Sequence, residues 1–370
     1  MVDDSEHLFY MNSLYTILFK FFILLFLLTF TKFFYYEKEI ILDKTKLKIQ
    51  TKFNKSFNNE MKHKNKIKVC LCTLGKNENR YIKEFVNHYK KYGIDKIFLY
   101  DNNNLNDERF DDVISDYLEE NFVEIIDYRG KIAPQFHIFT HCYNNNYKKY
   151  DWLIFYDIDE YINLKNYTNI KNFLTQNIFN KCKIIYLNCF RHTDNDLLYY
   201  DNRSLEKRFP YIKWESRMYT VKSIIRGNLK NITFKTSHWL DRRINGCNSY
   251  GKEIKPTKYV KMNNNSSIIF SNYNSSTRNV INGNYYNDYY IDHYCFKSTE
   301  EYIKKISKGD GIFGYKNKIK MHKIHLYFKY NKITSEKIKY IEKETNLDLS
   351  QYKLELINKN NRNSFFYLIF

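Results

Sequence analysis

The stretch DWLIFYDIDEYI, residues 151 to 162, delivers three carboxylates at the end of an apolar run. Trp152 to Tyr156 read as a buried strand, and Asp157, Asp159 and Glu160 follow it at once. Like charges held this close need a counter-charge. A hard divalent cation, Mg²⁺ or Mn²⁺, satisfies two such carboxylates and takes the rest of its shell from water and substrate phosphates. Bridging two phosphates, it would act as a Lewis acid on a leaving group, which suits transfer of a group from a nucleoside diphosphate. The alternative is a carboxylate pair neutralised by lysine or arginine. Spacing alone decides little. Asp194-Asn195-Asp196 repeats it in a polar segment, where the expectation is a solvated turn.

An alternation of strands and helices must position these residues. KIKVCLCTLG, residues 66 to 75, is β-rich and ends on Gly75. NENRYIKEFVNHYKKYG then places Tyr81, Ile82, Phe85, Val86, Tyr89 and Tyr92 at helical spacing, with Asn77 as the cap and Gly93 as the stop. DKIFLYDNNN is a second strand closing on Asp101, DDVISDYLEEN a helix and FVEIIDY a third strand. APQFHIFTHCYNNNYKKY is a helix with Pro134 near its first turn, and DWLIFYDID is the fourth strand. This order predicts βαβ units, hence an α/β fold with a mostly parallel sheet flanked by helices. Ligands of such sheets bind beyond the carboxyl ends of the strands. Lys76-Asn77-Glu78, Asp101-Asn102-Asn103 and Asp157-Ile158-Asp159-Glu160 would then gather along one edge. Further on, KIIYLNCF is the last clear strand, and STEEYIKKISKG and TSEKIKYIEKET are helices.

Several classes are excluded or disfavoured. The sequence has no GxxxxGK[ST] loop to cradle a triphosphate, and no GxGxxG follows the first strand. With 43% hydrophobic and 18% aromatic residues, the 370-residue chain can bury a real core. Its net charge of +19 favours anionic partners, although the lysines are spread along the whole chain. A basic protein that binds acidic glycan or nucleic acid without turnover is therefore a second reading. The strand-end carboxylates argue against nucleic acid, whose phosphates they would repel. Seven cysteines without a CxxC pair argue against a zinc site. Cys70 and Cys72 fall on one side of a strand as small core residues, and one or two disulfides fit a domain outside the cytosol.

Taken in order, KVCLCTLGKNENRYIKEFVNHYKKYGIDKIFLYDNNN, Gln135 and DWLIFYDIDEYI resemble glycosyltransferases of the GT-A fold. The similarity is greatest to family 92 (DUF23-type) and its family 2-like relatives. The matching residues are Lys76-Asn77-Glu78, His88-Tyr89, Tyr100-Asp101-Asn102 and Asp157-Ile158-Asp159-Glu160-Tyr161. HYCFKSTEEYIKKISKG, residues 293 to 309, is similar to the family's H-Y-x-x-K-S segment. The resemblance covers about residues 66 to 310. It implies a UDP-sugar donor carrying a hexose such as galactose, a glycan or glycoconjugate hydroxyl as acceptor, and inversion at the anomeric carbon. It also implies that Asp157 and Asp159 hold Mn²⁺ (or Mg²⁺) with His293 as third ligand. Lys76, Asn77, Glu78, Asp101, Gln135, Asp157, Lys222 and Lys297 would line the donor site. Inversion needs a base for the acceptor hydroxyl. Asp241, with His238 beside it, and Glu215 are the candidates downstream of the carboxylates. The chain departs from the family pattern at YDNNN, where a serine is usual, and in an asparagine-rich insertion near 262 to 279.

Residues 14 to 36 are almost all apolar, broken by Lys20 and Lys32, and follow a tail of residues 1 to 13. With both lysines snorkelling, this segment reaches across about 30 Å of hydrocarbon and predicts a single-pass transmembrane helix, a signal anchor of Golgi or ER type in a eukaryote. Lysines 38, 44, 46 and 48 follow it, so the positive-inside rule leans towards a cytoplasmic C-terminal domain. Residues 37 to 65 read as a stem, 66 to 310 as the glycosyltransferase domain and 311 to 370 as a C-terminal helical extension.

Overall fold

The computed structural model of the chain describes residues 67–131, 135–212, 221–234, 240, 244, 246–254, 288–309 and 321–357. The expected anchor and stem lie outside the described residues. So do Glu215, His238, Asp241 and the asparagine-rich insertion. Among the described residues, no helix is long and apolar enough to cross a membrane.

The first half follows the alternation read from the sequence. β1 (Val69–Gly75) leads to α1 (Asn79–Lys91), β2 (Lys96–Asp101), α2 (Asp111–Glu119), β3 (Val123–Asp127), α3 (Gln135–Asn146) and β4 (Trp152–Phe155). Strands β3, β2, β1 and β4 lie side by side and parallel. β1 is buried along its whole length, and its residues divide by the two-residue period of a strand. Val69 and Leu71 pack with Ile82, Phe85 and Tyr89 of α1 on one face. Cys70, Cys72 and Leu74 pack with Ile138, Phe139 and Tyr143 of α3 on the other.

Beyond β4 the sheet is mixed, which corrects the mostly parallel expectation. The chain continues through β5 (Glu160–Leu164), α4 (Ile170–Leu174), β6 (Ile184–Arg191), α5 (Leu205–Arg208) and β7 (Val221–Arg226). Then come β8 (Gly246–Asn248), β9 (Glu253–Ile254), β10 (Tyr289–His293), α6 (Thr299–Ser307), α7 (Met321–Tyr330) and α8 (Ser335–Thr345). β7 runs antiparallel between β4 and β6, and β10 sits parallel to β6 and antiparallel to β5. The physical reason is the connection. A parallel neighbour needs a crossover of a dozen or more residues, whereas β5 follows β4 after only four residues and turns to the other end of the sheet. Close approach at the β7 end demands glycine: a Cβ on Gly227 would lie 1.9 Å from the Tyr150 carbonyl oxygen.

Two disulfides tie the layers, Cys72–Cys142 between β1 and α3, and Cys182–Cys247 between the segment before β6 and β8. A separate apolar cluster joins α6 to α7 and α8, with Phe296, Tyr302 and Ile303 against Ile324, Tyr327, Phe328, Ile338 and Ile341. Asp194 is another correction. It is not in a solvated turn; its side chain is buried against Lys337 at 2.6 Å and accepts from the Tyr327 hydroxyl. Polar groups of Tyr327, Asn331 and Lys337 reach this loop from more than 130 residues away, which local sequence does not reveal.

Candidate active site

Because β1, β2 and β4 are parallel, the polar segments that follow them emerge at the same end of the sheet. Asn77 adopts a left-handed conformation (φ 54°) and its backbone N–H donates to Asn103 Oδ1 at 2.6 Å. That contact fastens the turn after β1 to the turn after β2. α1 therefore starts from Glu78 without a side-chain cap, one residue later than expected. Asp101 accepts from the Asn103 N–H at 3.0 Å and faces Arg129 at 3.8 Å, while burial raises its carboxyl. Lys76 donates to Asn104 at 3.0 Å.

The carboxylates after β4 lie in a tight turn, in which the Asp157 N–H donates to Glu160 Oε2 at 3.0 Å. Lys222, on β7 and fully buried, bridges Asp157 at 2.7 Å and Glu160 at 3.0 Å. Gln135, the first residue of α3, also donates to Asp157. Burial pushes the Glu160 carboxyl up to about 8 in spite of Lys222, and the charges of Asp157 and Asp159 add to the rise. Burial acts the opposite way on Lys222, but Asp157 and Glu160 hold the ammonium protonated.

Asp159 belongs to a second group. Its Oδ2 accepts from Lys305 of α6 at 2.5 Å, and its Oδ1 lies 3.6 Å from His293 Nε2 at the end of β10. The antiparallel register pairs His293 with Glu160, and the Tyr294 N–H donates to the Asp159 carbonyl at 2.9 Å. His293 Nδ1 in turn faces Glu160 Oε1 at 3.8 Å, a buried oxygen without a hydrogen-bond partner. Burial alone would raise Asp159, but Lys305 and His293 pull it well below the usual carboxylate range. Burial lowers the His293 imidazole, while the Asp159 carboxylate pulls it the other way.

Glu78 is the centre of a third group. Lys308 reaches it at 2.6 Å and Lys297 at 3.7 Å, and Lys308 also donates to the Lys76 carbonyl. Lys297 is buried, has φ of 55° and lies 3.7 Å over the Tyr81 ring. A non-glycine residue in that backbone region is held there by its surroundings.

Two donors 3.6 Å apart, Asp159 Oδ1 and His293 Nε2, can share one small divalent ion with bonds of about 2.0–2.1 Å. The chemistry of the pair suits such an ion. Adjacent octahedral positions at these bond lengths are about 2.9 Å apart, so the two side chains would close in on binding, with Glu160 Oε1 set to orient the imidazole. Asp157 is engaged by Lys222 and Gln135 instead. Among the described residues, no group of three or more His, Cys, Asp or Glu is arranged to hold a metal. Both aspartates have lysine partners, as the alternative reading of the sequence has it. The structure thus brings Lys76, Asn77, Glu78, Asp101, Gln135, Asp157, Asp159, Lys222, His293 and Lys297 into a run of linked contacts. Sequence reasoning placed Asn103 at the sheet edge but did not single out Lys305 or Lys308.

Residues 65–349 match glycosyltransferase family 92. A family 92 glycosyltransferase of Ricinus communis is 30% identical over 96 residues, which cover 26% of this chain and 17% of that protein. A family 92 protein of Oryza sativa subsp. japonica is 26% identical over 95 residues, 25% of this chain and 16% of that one. The aligned stretch is thus a small part of each relative's length. Among solved structures, Staphylococcus aureus TarS aligns with 43% of this chain and 28% of its own at 11% identity and a TM-score of 0.30. A mannosyltransferase from Pyrobaculum calidifontis in complex with GDP-Man and Mn²⁺ aligns with 33% of this chain and 35% of its own at 9% identity and a TM-score of 0.24. Structural likenesses this distant have no bearing on the site. The family match does, since it spans every strand end described above and runs on through α6, α7 and α8: the chain belongs to glycosyltransferase family 92.

Proposed function

We propose that this chain is a GT-A-type glycosyltransferase moving a hexose from a UDP-sugar to a glycan hydroxyl, with a divalent cation held by Asp159 and His293. The observation that carries this reading is the meeting of those two side chains, from strands far apart in sequence, beside four buried or half-buried lysines. One carboxylate and one imidazole leave most of a cation's shell to a diphosphate. A bound Mn²⁺ or Mg²⁺ would supply Lewis-acid stabilisation of the departing diphosphate.

The residues have separable tasks. Lys222 neutralises Asp157 and Glu160 and so fixes the turn that aims Asp159. Glu160 Oε1 faces His293 Nδ1 and favours the tautomer with the Nε2 lone pair towards Asp159. Lys297 and Lys308 hold positive charge beside Glu78, where a donor's phosphates would sit. The base that inversion needs is sought among Asp241, Glu215 and His238, which lie outside the described residues. Galactose remains the sugar that the resemblance suggests.

UDP-sugar hydrolysis and transfer, measured with and without Mn²⁺, test the reading. The wild-type chain is expected to turn over donor only with the ion, and Asp159→Ala to lose about 10²-fold or more in kcat/KM. Metal-independent turnover, or turnover untouched by Asp159→Ala, would count against it. Binding of acidic glycan with no donor turnover would favour the non-catalytic reading.

The two disulfides support an oxidising compartment for the folded domain, since such bonds are rare where thiols are kept reduced. With the segment 14–36 as a single-pass anchor, the reading proposed is a domain on the non-cytosolic side, against the lean given by the positive-inside rule.

A further inference from the structure

Four lysines meet carboxylates in this site, and they are not equivalent. The Lys222 side chain is fully buried and shared by two carboxylates, so it cannot leave without stranding both. Lys297 is 4% exposed and pinned over Tyr81, and Lys308 is 16% exposed and bound to Glu78 and the Lys76 carbonyl. Lys305 differs. Its side chain is 34% exposed, its partner is Asp159, and its second contact is a long one, to the Cys295 carbonyl at 3.3 Å. It also projects from the last turn of a helix whose start is fixed by a Ser298–Glu301 capping box, so the backbone can stay while the side chain swings.

We propose that Lys305 is an exchangeable counter-ion: it neutralises Asp159 while the site is empty, yields that carboxylate to a divalent cation, and then pairs with the donor's diphosphate. This rests on the reading of Asp159 and His293 as the cation site. The charge balance requires the exchange. With Lys305 in place Asp159 is already neutralised, and a dication sharing the same carboxylate would lie a few ångströms from an ammonium. The side chain with solvent on one side is the one that can withdraw. Once withdrawn, a four-carbon arm on α6 keeps its charge near Lys297 and Lys308, where it adds to the positive field for an anion. Ion and nucleotide then assist each other, and by linkage the assistance is reciprocal.

The test is direct binding, with no turnover needed. Free Mn²⁺ is measured by electron paramagnetic resonance without nucleotide, and UDP binding by calorimetry at saturating Mn²⁺. Lys305→Met is expected to bind Mn²⁺ about tenfold tighter than wild type and UDP about tenfold more weakly. Lys305→Arg, which keeps the charge, stays near wild type in both. Lys305→Gln serves for Lys305→Met should the latter fail to fold. If Asp159→Asn abolishes Mn²⁺ binding yet the neutral variants bind Mn²⁺ no tighter, or bind UDP as wild type does, the exchange is overturned and the cation site stands. If wild type binds no Mn²⁺, or Asp159→Asn leaves its binding unchanged, the cation site itself is wrong and the exchange falls with it.

Discussion

Lys222, in the candidate site, and Arg208, beside the first turn of α6, solve the same physical problem. Each is an almost completely buried cation facing a buried carboxylate, Lys222 with Glu160 as well as the half-buried Asp157, and Arg208 with Glu301 at 2.7 Å. Glu301 also accepts from the Tyr81 and Ser298 hydroxyls, both at 2.6 Å. Removing the cation from such an arrangement leaves a charge with no water to solvate it. Arg208→Met is expected to destabilise the fold by about 3–5 kcal/mol in urea denaturation. Adding Glu301→Gln to that variant is expected to recover part of the loss, because the double variant no longer buries a lone charge. The sequence showed the carboxylates of residues 157 to 160 because an apolar strand leads into them. Their lysine partners were invisible as partners, since a lysine-rich chain offers dozens of equal candidates and only the fold selects among them.

At the scale of elements, legibility followed locality. β1, α1, β2, α2, β3, α3 and β4 were readable because each carries its own period and its own stop, such as Gly93 after α1 (φ 79°). The parallel pairing of β1, β2 and β4 followed from the helical crossovers between them, and with it the gathering of their polar ends. β7 and β10 were not readable. Both owe their places to partners far away in sequence, yet they supply Lys222 and His293. Asp194 misled for the same reason, its environment being made by α7 and α8. The end of β7 rests on a backbone contact that tolerates no side chain. Gly227→Ala is expected to cost about 1–3 kcal/mol or more, read as a lowered thermal midpoint, because the Cβ would strike a main-chain carbonyl that cannot rotate away.

Across the whole molecule, covalent ties and a second core matter most. The disulfides close loops with sequence separations of 70 and 65 residues. Breaking either, by a paired Cys72→Ala and Cys142→Ala or Cys182→Ala and Cys247→Ala substitution, is expected to lower stability by about 2–5 kcal/mol in denaturant. The apolar cluster behind α6 has a different reach. Tyr302 stacks on Tyr327 at 4.7 Å and donates to the Lys323 carbonyl, so α7 and α8 form the back wall of the helix that presents Lys305 and Lys308. A chain ending at Gly309 would expose Phe296, Tyr302 and Ile303, and is expected to bind the dye ANS strongly and be cut rapidly by protease. Support for the candidate site is therefore not confined to the residues beside it. A saturation scan scored by the yield of folded protein should find Ile338 and Ile341 as intolerant as the buried residues of β1, although both lie far along the chain from the carboxylates whose lysine partner they help to hold in place.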